Sequence, residues 1–309
     1  MADIRIILKN ASKSWDAGTV CRLSYVRRTD TPCDSLDCTV ISEETQPEAS
    51  HICLYLGADC LYEGIVDSQS QLFSPKGSYM QIYSRRKIAA LLLDNEARPR
   101  DYRSLRFTDL AAAHAFPFGI KGVTAAEDRR APLFTVAKGM SEWEVIELFA
   151  KQIYGLTPYI DEKNRLVLHN RDAMKKHYFS NLDNGANWCG YISLKINRRP
   201  SRVISHVYVV NEDGSQLLVE NRNAGGTVRR RILSPSTEWA LFPRRGAEDI
   251  IQTSMERKTI IEIDAPDFLD CSLGDTAIIK EFSSVRECVL DEIELRLDGE
   301  CKTRLTFRA

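Results

Sequence analysis

The sequence predicts a mixed, β-rich α+β protein: two strand-dominated regions flanking a compact α/β block. Three observations carry that reading. Residues 1–85 hold several short apolar or alternating runs separated by turn residues. A second series of such runs extends from Trp188 to the C-terminus. Between them lies the clearest helix of the chain, Ser141–Tyr154, with β-type runs on either side.

In the first region, Asp3–Leu8 and Ser24-Tyr25-Val26 are short strand candidates, and His51–Leu56 is a stronger one. Cys60–Val66 and Ser78–Tyr83 follow, joined through Ser74-Pro75-Lys76-Gly77, whose Pro and Gly mark a turn. Strands this short and closely spaced point to a small barrel or sandwich. The polar stretch Thr29–Ser50, with Pro32 and Pro47, reads as partly loop. Residues 86–118 read as mostly helical: Arg86–Asp94, then Phe107–Phe116, stopped by Pro117.

The middle helix is specified by its ends as well as its face. Ser141 stands three residues before Glu144, the spacing of a capping box. Trp143, Ile146, Phe149, Ala150 and Ile153 share one face, and Gly155 and Pro158 end the helix. Pro132–Val136 before it and the hairpin Tyr159-Ile160/Arg165–Leu168 after it complete a βαββ block. Beyond Trp188, strands are expected at Tyr191–Ile196, Val203–Val210 and Gln216–Glu220, with a hairpin turn at Asn211–Gly214. A helical piece near Ala247–Met255 precedes a final meander: Thr259–Ile263, Thr276–Phe282, Val289–Leu297 and Thr303–Phe307.

Bulk composition excludes several classes. With 309 residues, 43% hydrophobic and 28% charged, the chain can bury two or three cores and is not disordered. A net charge of -1 speaks against nucleic-acid binding driven by bulk charge. No window is apolar over the 18 residues a membrane helix needs, and Met1–Leu8 lacks the pattern of a signal peptide. Nine cysteines, an odd number and several inside strand-like runs, suit a reduced cytoplasm where they act as small apolar residues.

An ordered series of motifs carries a resemblance. Gly64-Ile65-Val66-Asp67 precedes a strand ending in Arg85-Arg86-Lys87, and then comes Leu92-Leu93-Asp94-Asn95-Glu96-Ala97. Gly139–Phe149 and Leu273–Ile279, with its Gly274-Asp275 turn, follow further along. Taken in order, these segments resemble the baseplate hub proteins of phage tails and related injection machines, which are also related to the base of type VI secretion spikes. The resemblance covers most of residues 55–309, and residues 1–50 match it poorly. It implies two barrel-like hub domains with an α/β insertion: residues 1–100, the insertion 101–187, and residues 188–309. A return of part of 188–235 to the first barrel is left open. It further implies a structural virion protein, not an enzyme, forming a homotrimeric ring that adapts a six-fold tail tube to a three-fold spike. The implied partners are itself, the tube protein, the central spike and the tape-measure protein, with DNA only as cargo. The implied location is the tail baseplate, after synthesis in the bacterial cytoplasm.

Site candidates weigh against chemistry. Cys33/Cys38 and Cys53/Cys60 lack the second matching pair of a structural zinc site. The five histidines, His51, His114, His169, His177 and His206, show no metal-binding spacing. Asp94, Glu96 and Asp101, or Asp291, Glu292 and Glu294, could supply the paired carboxylates of a cell-wall hydrolase, the first alternative function. Glycan or receptor binding is the second, for which Trp15, Trp143, Trp188 and Trp239 are too scattered. No catalytic residue, metal ligand or cofactor is assigned. The residues singled out are Arg85, Arg86, Arg229, Arg230 and Arg231, as subunit-contact candidates whose guanidinium forks suit carboxylates across an interface. On a strand, Arg229 and Arg231 share one face and Arg230 takes the other.

Overall fold

The computed structural model describes residues 4–29, 31–75, 77–125, 127–161, 163–168, 175–182, 185, 187–210, 214–226, 228–233, 243–281 and 284–309. The N-terminal strands are β1 (Ile4–Lys9), β2 (Ser14–Asp16), β3 (Val20–Arg28), β4 (Ser35–Ile41), β5 (His51–Leu56), β6 (Asp59–Ser74) and β7 (Gly77–Arg86). The middle holds α1 (Lys87–Asp94), β8 (Arg100–Arg106), α2 (Phe107–His114), β9 (Gly122–Ala125), β10 (Arg130–Val136), α3 (Glu142–Tyr154), β11 (Tyr159–Ile160), β12 (Arg165–Leu168) and β13 (Lys176–Phe179). Then come β14 (Ser193–Arg198), β15 (His206–Val210), β16 (Gln216–Glu220), β17 (Arg230–Leu233), α4 (Pro243–Glu256), β18 (Thr259–Pro266), β19 (Thr276–Glu281), β20 (Ser284–Asp298) and β21 (Glu300–Arg308).

The chain divides into two compact units, each assembled from separated segments. The first takes Met1–Leu91, Ala173–Lys195 and Glu262–Phe307; the second takes Leu92–Asp172, Ile196–Ile261 and the last two residues. In the large sheet, β20 runs antiparallel along β3 from Glu292↔Arg28 to Asp298↔Arg22. The strand order β14-β18-β21-β20-β3-β4-β7-β6-β5-β1-β2 is a linear path, with β19 joining β20 to β13. The expected cuts at 100 and 187 therefore do not follow the ladder. Segments far apart in sequence share it because both carry period-2 apolar faces that need the same core.

That core explains the pairing. Leu23, Leu36, Cys38, Val40, Ile52, Leu54, Met80, Ile82 and Leu295 are buried together. Each side chain removed from water contributes about 1.5–3 kcal/mol. β4 occupies the stretch expected to be partly loop, because Leu36, Cys38 and Val40 alternate inward between polar neighbours.

In the second unit, α2 and α3 pack through aromatic rings: Phe107 stacks on Phe149 at 6.1 Å, and Phe134 meets Phe149 edge-on at 5.3 Å. The capping box of α3 is present. Ser141 Oγ accepts from the Glu144 amide at 3.2 Å, and Glu144 Oε2 accepts from the Ser141 amide at 2.7 Å. The four elements of the expected βαββ block occur in order but do not share one sheet. β10 pairs with β8, whereas the β11–β12 hairpin pairs in parallel with β9. β8 also interrupts the stretch read as mostly helical. A third sheet, β16-β15-β17, backs onto α4.

Candidate interaction surfaces

The five arginines singled out from the sequence fall into two situations. Arg85 forks onto Asp67 of β6, donating from Nε and Nη2 at 2.8 and 2.9 Å. Arg86, on the opposite face of β7, donates to Asp34 Oδ2 at 3.0 Å. The Tyr25 hydroxyl donates to the same oxygen at 3.2 Å, and Arg27 Nε stands 3.7 Å from it. Burial, with the Asp34 charge, pushes the Tyr25 hydroxyl far above its ordinary pKa. Both arginines are thus engaged within their own chain. Arg229 is tied to the carbonyl of Ser201 at 3.1 Å, while Arg230 and Arg231 lie exposed on β17.

Most of the carboxylates considered for catalysis are also engaged. Asp101 accepts from Thr135 at 2.7 Å, whereas Glu96 meets Ser141 only through a backbone bridge that leaves its carboxylate out. Along β20, Asp291 accepts from Thr29, Glu292 pairs with Arg28 at 2.9 Å, and Glu294 accepts from Ser24 at 2.7 Å. Two histidine pairs escaped the sequence reading because their partners are distant in the chain. His114 is buried between Glu142, 2.5 Å from Nδ1, and the Tyr102 hydroxyl, 2.9 Å from Nε2. His177 Nε2 lies 2.7 Å from Asp275, which also accepts from the Ser272 amide at 2.9 Å. Hydroxyl, imidazole and carboxylate in line have the form of a relay. Yet none of Tyr102, His114 and His177 lines the cavity at Ile4, Val20 and Leu297 or the one at Leu218, Glu220 and Arg244. His169 and Trp239 fall outside the described residues.

The thiols are no better placed for chemistry. Burial pushes Cys33, Cys38, Cys271 and Cys288 up to about 12, so at neutral pH they carry almost no thiolate. Among the described residues, no three His, Cys, Asp or Glu side chains come close enough to hold a metal ion. No helix among them is long and apolar enough to cross a membrane.

What the surface does offer is apolar. Ile41, Tyr79 and Leu72 stand in one cross-strand row of β4, β7 and β6, all exposed, near the tip of the longest hairpin. A cavity of about 920 Å³ opens among Ile4, Asp16, Val20, Cys21, Leu297 and Cys301. On the sheet β16-β15-β17, Val207 and Val209 face α4, so Tyr208 faces away from it, between Leu218 and Ile232. The signal for such rows, an apolar residue at an otherwise polar strand position, is in the sequence. Only the register shows that the residues meet.

The fold built from this long multi-segment sheet and the α/β portion is that of phage tail proteins of known structure. Over 99% of this chain and 96% of the other, it superposes on a tail protein from Neisseria meningitidis with a TM-score of 0.78 at 15% identity. A 43 kDa tail protein of prophage MuSo2 from Shewanella oneidensis is similar over 98% of both chains, with a TM-score of 0.80 at 15% identity. An Escherichia coli component of the type VI secretion system, itself described as structurally similar to the T4 bacteriophage tail proteins gp27 and gp5, shares the fold more loosely. Its TM-score is 0.58 at 10% identity, over 98% of this chain and 75% of that one. No family model and no curated protein matches the sequence.

Proposed function

We propose that the chain is a structural subunit of a phage tail or tail-like injection particle, acting as its baseplate hub. The observation that carries this is the near end-to-end agreement of its fold with two tail proteins, at TM-scores of 0.78 and 0.80. The hub reading adds three chains in a ring. Each contributes two barrel-like domains, so that six similar domains meet a six-fold tube and three-fold symmetry remains for a spike. Under this reading the protein's work is geometric, with no turnover. Its partners are its own copies, the tube, the spike and the tape-measure protein, and DNA passes only as cargo. The engaged carboxylates and high-pKa thiols favour it over a cell-wall hydrolase.

Solution mass tests it. Light scattering over a concentration range should give a species of three times 35.1 kDa, and electron microscopy of that species a ring. Labelled subunits located along the tube or among tail fibres, instead of at the tube's end, would overturn the hub assignment.

A further inference from the structure

The outer face of the sheet β16-β15-β17 carries a pattern complementary to itself. In register, Leu218 and Ile232 flank Tyr208, and one row along, Glu220 and Arg230 flank His206. Leu218 is 41% exposed and Ile232 is 77% exposed, and with Tyr208 between them they form a contiguous apolar row open to solvent. Val228, just before β17, adds a further exposed apolar residue. Glu220 and Arg230 are both exposed and make no ion pair with another described residue.

We propose that this face pairs with the same face of a second copy of the chain, about a two-fold axis parallel to β15. That axis exchanges the two edges of the sheet while keeping each row opposite itself. Glu220 then meets Arg230 of the second copy, and Arg230 meets its Glu220. Leu218 lies over Ile232, and Tyr208 over Tyr208. An axis across the strands sets each strand over its own copy, with Glu220 on Glu220 and Arg230 on Arg230 or charged rows on apolar ones, so the charge pattern selects a single arrangement. The strands of the two copies run aligned, as in ordinary face-to-face sheet packing. The face spans three short strands, less than the roughly 800 Å² per partner of a standard interface, so the pairing is weak and concentration-dependent. It strengthens where several copies are held together. The pairing does not depend on the hub reading: it joins one subunit to another whether the free species is one chain or three.

Charge exchange tests it on the full-length protein. Parent protein, E220R, R230E and an equal mixture of the two variants are compared by sedimentation into the hundred-micromolar range. The parent is expected to double in mass with concentration. Each variant alone sets like charges together twice and should associate about tenfold more weakly or worse. In the mixture each introduced charge meets its opposite, and association should return to the parent's level. I232D should abolish doubling in every combination, while circular dichroism checks that each variant remains folded. A parent that never doubles, single variants that associate like the parent, or a mixture no stronger than its components would each overturn the proposal. A three-chain species that fails to appear while doubling persists would count against the hub reading alone.

Discussion

At the scale of single residues, burial decides which charges matter. Asp34 holds Arg86 and Tyr25, with Arg27 close by, and side-chain exposures are 10% for Asp34 and 16% for Arg86. Asp34→Asn removes the carboxylate charge that two mostly buried guanidinium groups face and should cost about 3 kcal/mol in urea unfolding. Asp67→Asn, which breaks the more exposed pair with Arg85, should cost no more than about 1 kcal/mol. A second pair sets acid stability. The Arg304 fork onto Asp264, aided by the Ser193 hydroxyl, holds the Asp264 carboxyl below its ordinary value of 3.8. A carboxyl with a depressed folded pKa stabilises above its unfolded value and loses that contribution as pH falls through the folded one. Arg304→Gln should therefore be less stable than the parent at neutral pH and approach it below about pH 4, as chemical denaturation at several pH values will show. Among the thiols, exposed Cys60 should label first with a thiol reagent at pH 8, and Cys38, Cys271 and Cys288 only on unfolding. The arginine clusters were legible as clusters, but their partners were not. Asp34 lies 52 residues from Arg86, and no local spacing announces such a pair.

Among secondary elements, local signals were read well where chemistry is local. The Ser141/Glu144 box, the apolar face behind it and Gly155 define α3 within the chain's own short range. Ser141→Ala should lower stability by about 1 kcal/mol, with the loss confined to amide protection in the first turn of α3 by hydrogen exchange. Strand β4 occupies seven residues of a stretch that Pro32 and Pro47 mark as partly loop, and the clean alternation of Leu36, Cys38 and Val40 is its signal. Strand β8 carries no such signal. Arg100–Arg106 is mostly polar and exposed, and Ser104 has a φ of 59°, so little in its side chains asks for a sheet. It exists because β10 supplies a partner, with Leu105 opposite buried Ala131. The expected turn at Asn211–Gly214 falls largely outside the described residues.

At the scale of the whole molecule, strand-rich character and family resemblance were both legible, and the tail-protein fold agrees with them. The pairing of chain ends was not legible, since alternation marks a strand without naming its neighbour. That pairing bears on how the protein is made. Ser24 bonds to Glu294, 270 residues away, and β3 meets β20 only after nearly the whole chain has been translated. At roughly 5–20 residues per second, ribosomes leave the β3 edge bare for roughly 15–50 seconds. Contacts this distant in sequence make for slow folding, and an open apolar strand edge is an aggregation template meanwhile. A nascent chain stalled before Ser284 should accordingly recruit holding chaperones and pellet once released, whereas one stalled beyond Arg308 with a spacer filling the exit tunnel should stay in solution.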